Sequence, residues 1–198
     1  GSRLHPHTID RPKSMLEFGG QTLLGRLIKT FQDSGINDIT VVTGYKSEKI
    51  NLPNVNYIKN KFFRETSTLE SLICAKEKIN DSTIISYSDI IFQNNILKKL
   101  IETEHEISIV VDKQWLKYWK KRTGESVTDA TESVCFNNEG FLSSIGQPIK
   151  NLDNANGHFI GLMKTQGNGS KILLKFIEKQ INERKKSLQL DPKLDLNK

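Results

Sequence analysis

GSRLHPHTIDRPKSMLEFGGQTLLGRLIKTFQDSGINDITVVTGY, residues 1–45, reads as a basic loop, an amphipathic helix and a buried strand, and that order decides the fold. Leu23, Leu24, Leu27, Ile28 and Phe31 recur with the helical period over residues 22–34, and Gly35 stops the helix. Residues 38–43 (DITVVT) form a short apolar run that ends in the turn Gly44-Tyr45. The loop ahead of the helix carries Arg3 and, behind Pro12, Lys13. Two cations on a loop before a helix suit a polyphosphate, whose charge must be neutralised while it reacts.

Working outward, the alternation continues. Residues 55–59 predict a second strand and residues 68–80 a helix with Leu69, Leu72, Ile73 and Ile79 inward. Ser67 and Glu70 form a capping box at its start. Residues 83–88 (TIISYS) read as a strand running into Asp89, and residues 94–103 as a helix burying Ile96, Leu97, Leu100 and Ile101. Residues 107–111 (ISIVV) are the most apolar strand and are expected at the centre of the sheet. This order predicts an α/β fold with a mostly parallel central sheet flanked by helices. A β-hairpin excursion follows, 133–137 and 141–145 around Asn138-Glu139-Gly140. A strand at 158–164 and a basic helix at 170–186 complete the pattern, and 187–198 reads as an irregular tail. No repeat or linker divides residues 1–198, so a single domain is expected.

The 198 residues carry 29 Lys and Arg against 23 Asp and Glu, a net charge of +6 that suits an anionic partner. Nucleic acid ranks last among such partners, because no basic–aromatic platform accompanies the charge. Cys74 and Cys135 are far apart and lack metal spacing, which predicts reduced, buried or half-buried thiols in a cytoplasmic protein. No apolar run is long enough to span a bilayer and no signal peptide is visible, so no membrane partner is expected.

In a doubly wound sheet, ligands bind beyond the carboxyl ends of the strands, where Gly44, Tyr45 and Asp89 fall. Taken alone, Arg3 and Lys13 read as two solvated cations on a surface loop; with Gly1, Pro6, Thr8 and Pro12 in place, Arg3 is read as gripping the β- and γ-phosphates of a nucleotide and Lys13 as stabilising charge at the α-phosphorus. Asp89 is read as a Mg²⁺ ligand, with a helix cap as the competing reading. Ser86 and Ser88 are placed to orient it. Thr66, Ser67, Thr68 and Ser71 make a hydroxyl-rich helix start that suits an anion or a base edge, although the capping box accounts for Ser67. Asn60 reads either as a base or ribose contact or as a turn residue.

Residues 112–122 (DKQWLKYWKKR) mix aromatic and basic side chains. Lys113 or Arg122 would hold a phosphate or phosphonate, and Trp115, Tyr118 and Trp119 would cage a quaternary amine. An amphipathic helical turn covering the sheet is the equal alternative. Lys164 either faces the site or points outward from its strand. His5, His7, His105 and His158 are read as loop and surface histidines.

The spacing G-S-R-L-x-P-x-T-x-x-x-P-K resembles the signature loop of the nucleotidyltransferase superfamily. SYSDI resembles that superfamily's metal-binding strand end. DKQWLKYWKKR and GHFIGLMK are similar to the phosphocholine and phosphonate cytidylyltransferase branch. The resemblance implies a Rossmann-like fold, Mg²⁺, and transfer of CMP from CTP to a small phosphorylated or phosphonate acceptor with release of pyrophosphate. It also matches Gly1, Ser2, Arg3 and Lys13 to the nucleotide-binding loop, and Asp89 to the first metal carboxylate.

Three departures accompany it. The strand and glycine that precede the loop in the superfamily are missing, and they are expected in the native protein. No second metal-binding aspartate is evident after Lys164. Gln147 stands where related members carry a lysine, with Lys150 as a nearby substitute. A sugar-1-phosphate nucleotidyltransferase and a non-catalytic nucleotide-binding regulatory module therefore remain as alternatives. A homo-oligomer and fusion to another enzyme domain both fit the resemblance.

Overall fold

Lys13–Met15 forms a single 3-10 turn, and the chain then makes a hairpin that the sequence reading missed. Its strands are β1 (Glu17–Phe18) and β2 (Gln21–Thr22), paired antiparallel. Gly19 (φ 61°) and Gly20 (φ 78°) supply the left-handed pair that a two-residue hairpin needs. The computed structural model describes residues 4–123, 132–146 and 155–190, with backbone alone at 119, 120, 122, 123 and 185–190.

Helix α1 (Leu23–Asp33) starts where the Thr22 hydroxyl accepts a hydrogen bond from the Gly25 amide at 3.0 Å. It buries Leu24, Leu27, Ile28 and Phe31, each worth about 1.5–3 kcal/mol in transfer free energy. Gly35 ends it at φ 84°. Strand β3 (Thr40–Thr43) runs parallel to β4 (Asn56–Lys59), with Val41 opposite Tyr57. Leu24, Ile28 and Val41 form a core cluster on which Met15, Ile39, Ile50, Leu52 and Val55 pack.

Helix α2 (Thr68–Cys74) is shorter than expected. It has no fully buried residue, so little packing favours continuing it, and the chain passes through Ala75 into a 3-10 turn at Lys76–Lys78. Strand β5 (Ser82–Ser86) and helix α3 (Asn94–Glu102) follow, with Leu97 and Leu100 buried but Ile101 exposed. Strand β6 (Ile107–Asp112) leads to α4 (Trp115–Thr123), then β7 (Ser133–Phe136), β8 (Leu142–Ile145), β9 (Gly157–Gln166) and α5 (Asn168–Leu190). Helix α5 thus reaches into the segment expected to be irregular from residue 187.

The larger sheet has the order β5-β9-β7-β8, and β6 pairs with β9. Among the described residues β6 has that single neighbour, so it is not the central strand. The inner place belongs to β9, whose glycines admit close neighbours. A Cβ at Gly161 would lie 2.2 Å from the Tyr87 ring, and one at Gly157 would lie 2.2 Å from Val111. The pairing is mixed: β3–β4 is parallel, whereas β7–β8 and β7–β9 are antiparallel. The result is an α/β, broadly Rossmann-like fold.

The chain divides into two compact units. One contains residues up to 83, 88–107 and from 164 onward; its buried apolar residues include Leu97, Leu100 and Ile177. The other contains 84–87 and 108–163, with Trp115, Val134 and Leu162 buried. Cys74 is exposed, contrary to expectation, and Cys135 is half-buried. Among the described residues no helix is long and apolar enough to cross a membrane.

Candidate active site

Two of the residues singled out for chemistry meet. The Lys13 ammonium lies 2.5 Å from an Asp89 carboxylate oxygen. Lys13 opens the 3-10 turn after Pro12, whose extended backbone (φ −64°, ψ 152°) delivers it. Asp89 sits in the turn beyond β5. Their side chains are 45% and 28% exposed, so solvent and a ligand can reach both. An exposed pair of this kind adds little to stability. Its interest is that a cation and a hard oxygen donor share one accessible spot.

The donor set bears on the metal expected there. Among the described residues no cluster of three or more His, Cys, Asp or Glu could cage an ion. Asp89 alone fits a cation such as Mg²⁺, which keeps several waters and binds through one or two carboxylates together with substrate phosphates.

Gly1, Ser2 and Arg3, expected at the nucleotide, lie outside the described residues. The loop that follows them turns on itself, with hydrogen bonds from the His7 amide to the Leu4 carbonyl (2.9 Å) and from the Ile9 amide to the Pro6 carbonyl (3.3 Å). Thr8 is buried. Arg11 pairs with its neighbour Asp10 at 2.9 Å and holds that carboxyl below its usual range, chiefly by hydrogen bonding.

The Tyr45 hydroxyl donates to the Ile9 carbonyl at 2.5 Å, and its ring meets Phe63 edge-on at 6.4 Å. Gly44 packs beneath the same phenylalanine: an added Cβ would lie 2.6 Å from Phe63 Cβ. Close packing therefore requires glycine at 44, next to the expected nucleotide contact Tyr45. The sequence signal was a glycine–aromatic pair at a strand end, with nothing to show that its partner was Phe63.

Asn60 is buried and its amide is fully engaged. Its side-chain oxygen accepts from the Phe62 amide (3.0 Å), and its nitrogen donates to the Thr66 hydroxyl (3.1 Å) and the Ser71 hydroxyl (3.3 Å). Thr66 in turn donates to the Phe62 carbonyl at 2.7 Å. Asn60 and Thr66 thus organise a turn, which the Asn60 side-chain amide ties to Ser71 on α2. Ser67 completes the capping box with Glu70, whose carboxyl is held below its usual range first by the Ser67 hydroxyl. Thr68, at the start of α2, is exposed. Ser86 donates to the Tyr87 carbonyl at 2.9 Å, and not to Asp89.

Lys164, considered for the substrate, is 5% exposed. Its ammonium donates to the carbonyls of Ile101 (2.7 Å) and Thr103 (2.9 Å) at the end of α3. There it satisfies acceptors that a helix C-terminus leaves open. A lysine so occupied is a structural cap.

The aromatic–basic segment forms α4. Trp115 is 4% exposed and packs beside His158, 5.7 Å between ring centroids. That burial takes Trp115 out of the expected cage and makes it core. His158 is half-buried, with burial pushing its pKa down, so it is not the surface histidine expected from sequence. Tyr118 is exposed. Lys113 is exposed above the Phe136 ring at 5.6 Å, and an open hollow is lined by Lys113, Gln114, Leu116 and Lys117. The Trp119 and Arg122 side chains, Gln147 and Lys150 fall outside the described residues.

Residues 1–145 match the MobA-like NTP transferase domain family, and the chain belongs to that family of nucleotidyltransferases. It is 34% identical over 175 residues to CTP:phosphoglutamine cytidylyltransferase of Campylobacter jejuni subsp. jejuni, covering 83% of this chain and 68% of that protein. Choline-phosphate cytidylyltransferase of Streptococcus pneumoniae is 28% identical over 98 residues, covering 48% of this chain and 43% of that protein. The chain therefore spans less than half of this second relative. In structure, CTP:phosphocholine cytidylyltransferase of Streptococcus pneumoniae superposes with a TM-score of 0.61 at 17% identity, over 92% of this chain and 73% of that one. That likeness carries the fold. Nucleotidyltransferases of this class generally work with a divalent metal.

Proposed function

We propose that the chain transfers CMP from CTP to a small acceptor bearing a phosphate or phosphonate, with pyrophosphate leaving. An acceptor oxygen attacks the α-phosphorus, a new P–O bond forms, and the bond from that phosphorus to the β-bridging oxygen breaks. The supporting observation is the exposed Lys13–Asp89 pair at the end of the signature loop. Lys13 balances charge on the α-phosphoryl oxygens as the reaction proceeds. Arg3 holds the outer phosphates until they depart. Asp89 would hold the divalent cation, which we take to be Mg²⁺; when bound, such an ion neutralises phosphate charge. With the nucleotide present, Lys13 exchanges its carboxylate partner for phosphate oxygens.

For the acceptor, burial of Trp115 removes one member of the expected aromatic cage, whereas Lys113 stays exposed for an anionic group. This favours acceptors recognised through charge over those recognised through a quaternary amine. The test is release of pyrophosphate by the full native protein with Mg²⁺ and each of CTP, UTP, GTP and dTTP. Phosphocholine, phosphoglutamine, aminoethylphosphonate and hexose 1-phosphates serve as acceptors. Turnover with CTP and a non-sugar acceptor is expected. Preference for a hexose 1-phosphate with another nucleotide, or no turnover with any pair, would overturn the reading.

A further inference from the structure

Among the described residues of the signature loop, the large apolar side chains are exposed. Ile9 is 56% exposed and Leu4 38% exposed, and the loop's internal backbone bonds span only three residues each. Thr8 is the buried residue between them. From elsewhere the loop is reached by Asp89, which pairs with Lys13, and by Tyr45, which hydrogen-bonds the Ile9 carbonyl. Ile9 stands four residues before Lys13, and Pro12 stiffens the intervening chain.

Tyr45 is itself held from behind. Its ring leans on Phe63. Phe63 sits in a turn whose shape is set by the Asn60 amide, and the Asn60 backbone amide donates to the Thr43 carbonyl at 2.8 Å, at the end of β3. Gly44 lets Phe63 approach the backbone there. A continuous set of contacts thus runs from the end of β3, through a buried and saturated asparagine, to a carbonyl in the loop that carries Lys13.

We propose that Asn60, Phe63 and Tyr45 form a brace that fixes the signature loop, so that Tyr45 acts as a positioning residue for Lys13 and not as a nucleotide contact. The inference rests on the reading of Lys13 as the cation at the α-phosphorus. A misplaced charge loses much of its effect on a transition state, because that effect depends on preorganised geometry. A phenol–carbonyl bond contributes on the order of one ordinary hydrogen bond, so its loss should loosen the loop without unfolding the chain.

The experiment compares the full native protein with Tyr45→Phe, which keeps the ring on Phe63 and deletes only the hydroxyl. Hydrogen exchange over residues 4–13 tests the brace directly and needs no activity. The expected result is faster exchange at the His7 and Ile9 amides. In steady-state assays kcat should fall about tenfold, with KM for CTP changed by less than about twofold. In a Lys13→Ala background the same substitution should cause no further loss, since a residue acting through Lys13 has nothing left to position. Phe63→Leu, which removes the ring behind Tyr45, should reproduce the exchange and rate effects.

Unchanged exchange, unchanged kcat, or an equal loss in the Lys13→Ala background would each overturn the proposal. A rise in KM alone would also overturn it, by making Tyr45 a nucleotide contact. If the wild-type protein turned over no nucleotide, the reading of the reaction would fall, and the exchange arm alone would decide the brace.

Discussion

Lys13 and Lys164 make the sharpest contrast in the molecule. Lys13 opens a 3-10 turn and Lys164 lies within β9, and both were expected to face a ligand. Lys13 is 45% exposed beside a carboxylate that solvent also reaches. Lys164 is 5% exposed, with two short bonds to the carbonyls that end α3. The difference lies in whether the charge has spent its hydrogen bonds. Lys13 can trade its partner for a ligand at little cost, because an exposed ion pair is worth roughly 0–1 kcal/mol. Lys164 cannot, because its buried ammonium would give up two carbonyl acceptors, of which that of Thr103 has a second donor, the Gln166 side-chain amide.

The largest effect tests the open side of this contrast. Asp89→Asn keeps the shape and removes the negative charge. We expect metal-dependent turnover to fall by about a thousandfold or more, with the melting temperature nearly unchanged. Metal titration followed by pyrophosphate release checks this, and a variant of near wild-type activity would remove Asp89 from the reaction. Lys13→Ala comes next. The loss should be about a hundredfold to a thousandfold and should fall mainly on kcat, because the charge matters most when the α-phosphoryl group is in transit. A change confined to KM would make Lys13 an ordinary binding cation.

Lys164→Met tests the closed side. It should cost about 2 kcal/mol of stability, measured by urea unfolding, as the Ile101 and Thr103 carbonyls lose a charged donor. The kcat of the folded protein should stay within about twofold of wild type. A large loss of turnover with unchanged stability would break the contrast by showing that both lysines serve the substrate.

The same distinction explains what the sequence could and could not reveal. Periodicity placed α1, β3, α3 and the β7–β8 hairpin, because their burial repeats with the local geometry. It mistook β6 for the central strand, because apolar content reports burial and not the number of neighbours. The inner strand β9 is marked instead by Gly157 and Gly161, whose need for close approach appears only when Val111 and Tyr87 are in place. Lys13 and Asp89 were legible as chemistry-bearing types, and their meeting required the fold. Asn60, Thr66, Ser71 and Trp115 were legible only as types. Whether such a side chain is available is decided by partners distant in sequence, such as the Trp115–His158 contact.

Ser67 offers the smallest and most discriminating test, because it belongs to the hydroxyl-rich stretch first read as a ligand site. Its hydroxyl is engaged with Glu70, and Glu70 also pairs with Arg184 at 3.1 Å. The Glu70 carboxyl is held below its ordinary value first by the Ser67 hydroxyl, with Arg184 as a lesser cause. A depressed carboxyl pKa contributes stability that is fully present above the unfolded-state value and is lost as pH falls through the folded-state value. Ser67→Ala should therefore cost about 1 kcal/mol near neutral pH, the usual worth of an N-cap. That penalty should narrow in acid below the folded-state pKa, where Glu70 is protonated in both proteins and the charged half of the capping box is gone. Urea melts at neutral and acid pH measure the two penalties. Equal penalties would mean that the hydroxyl caps the helix without help from the Glu70 charge. Weaker CTP binding at unchanged stability would instead place Ser67 with Lys13 among the groups still open to a ligand.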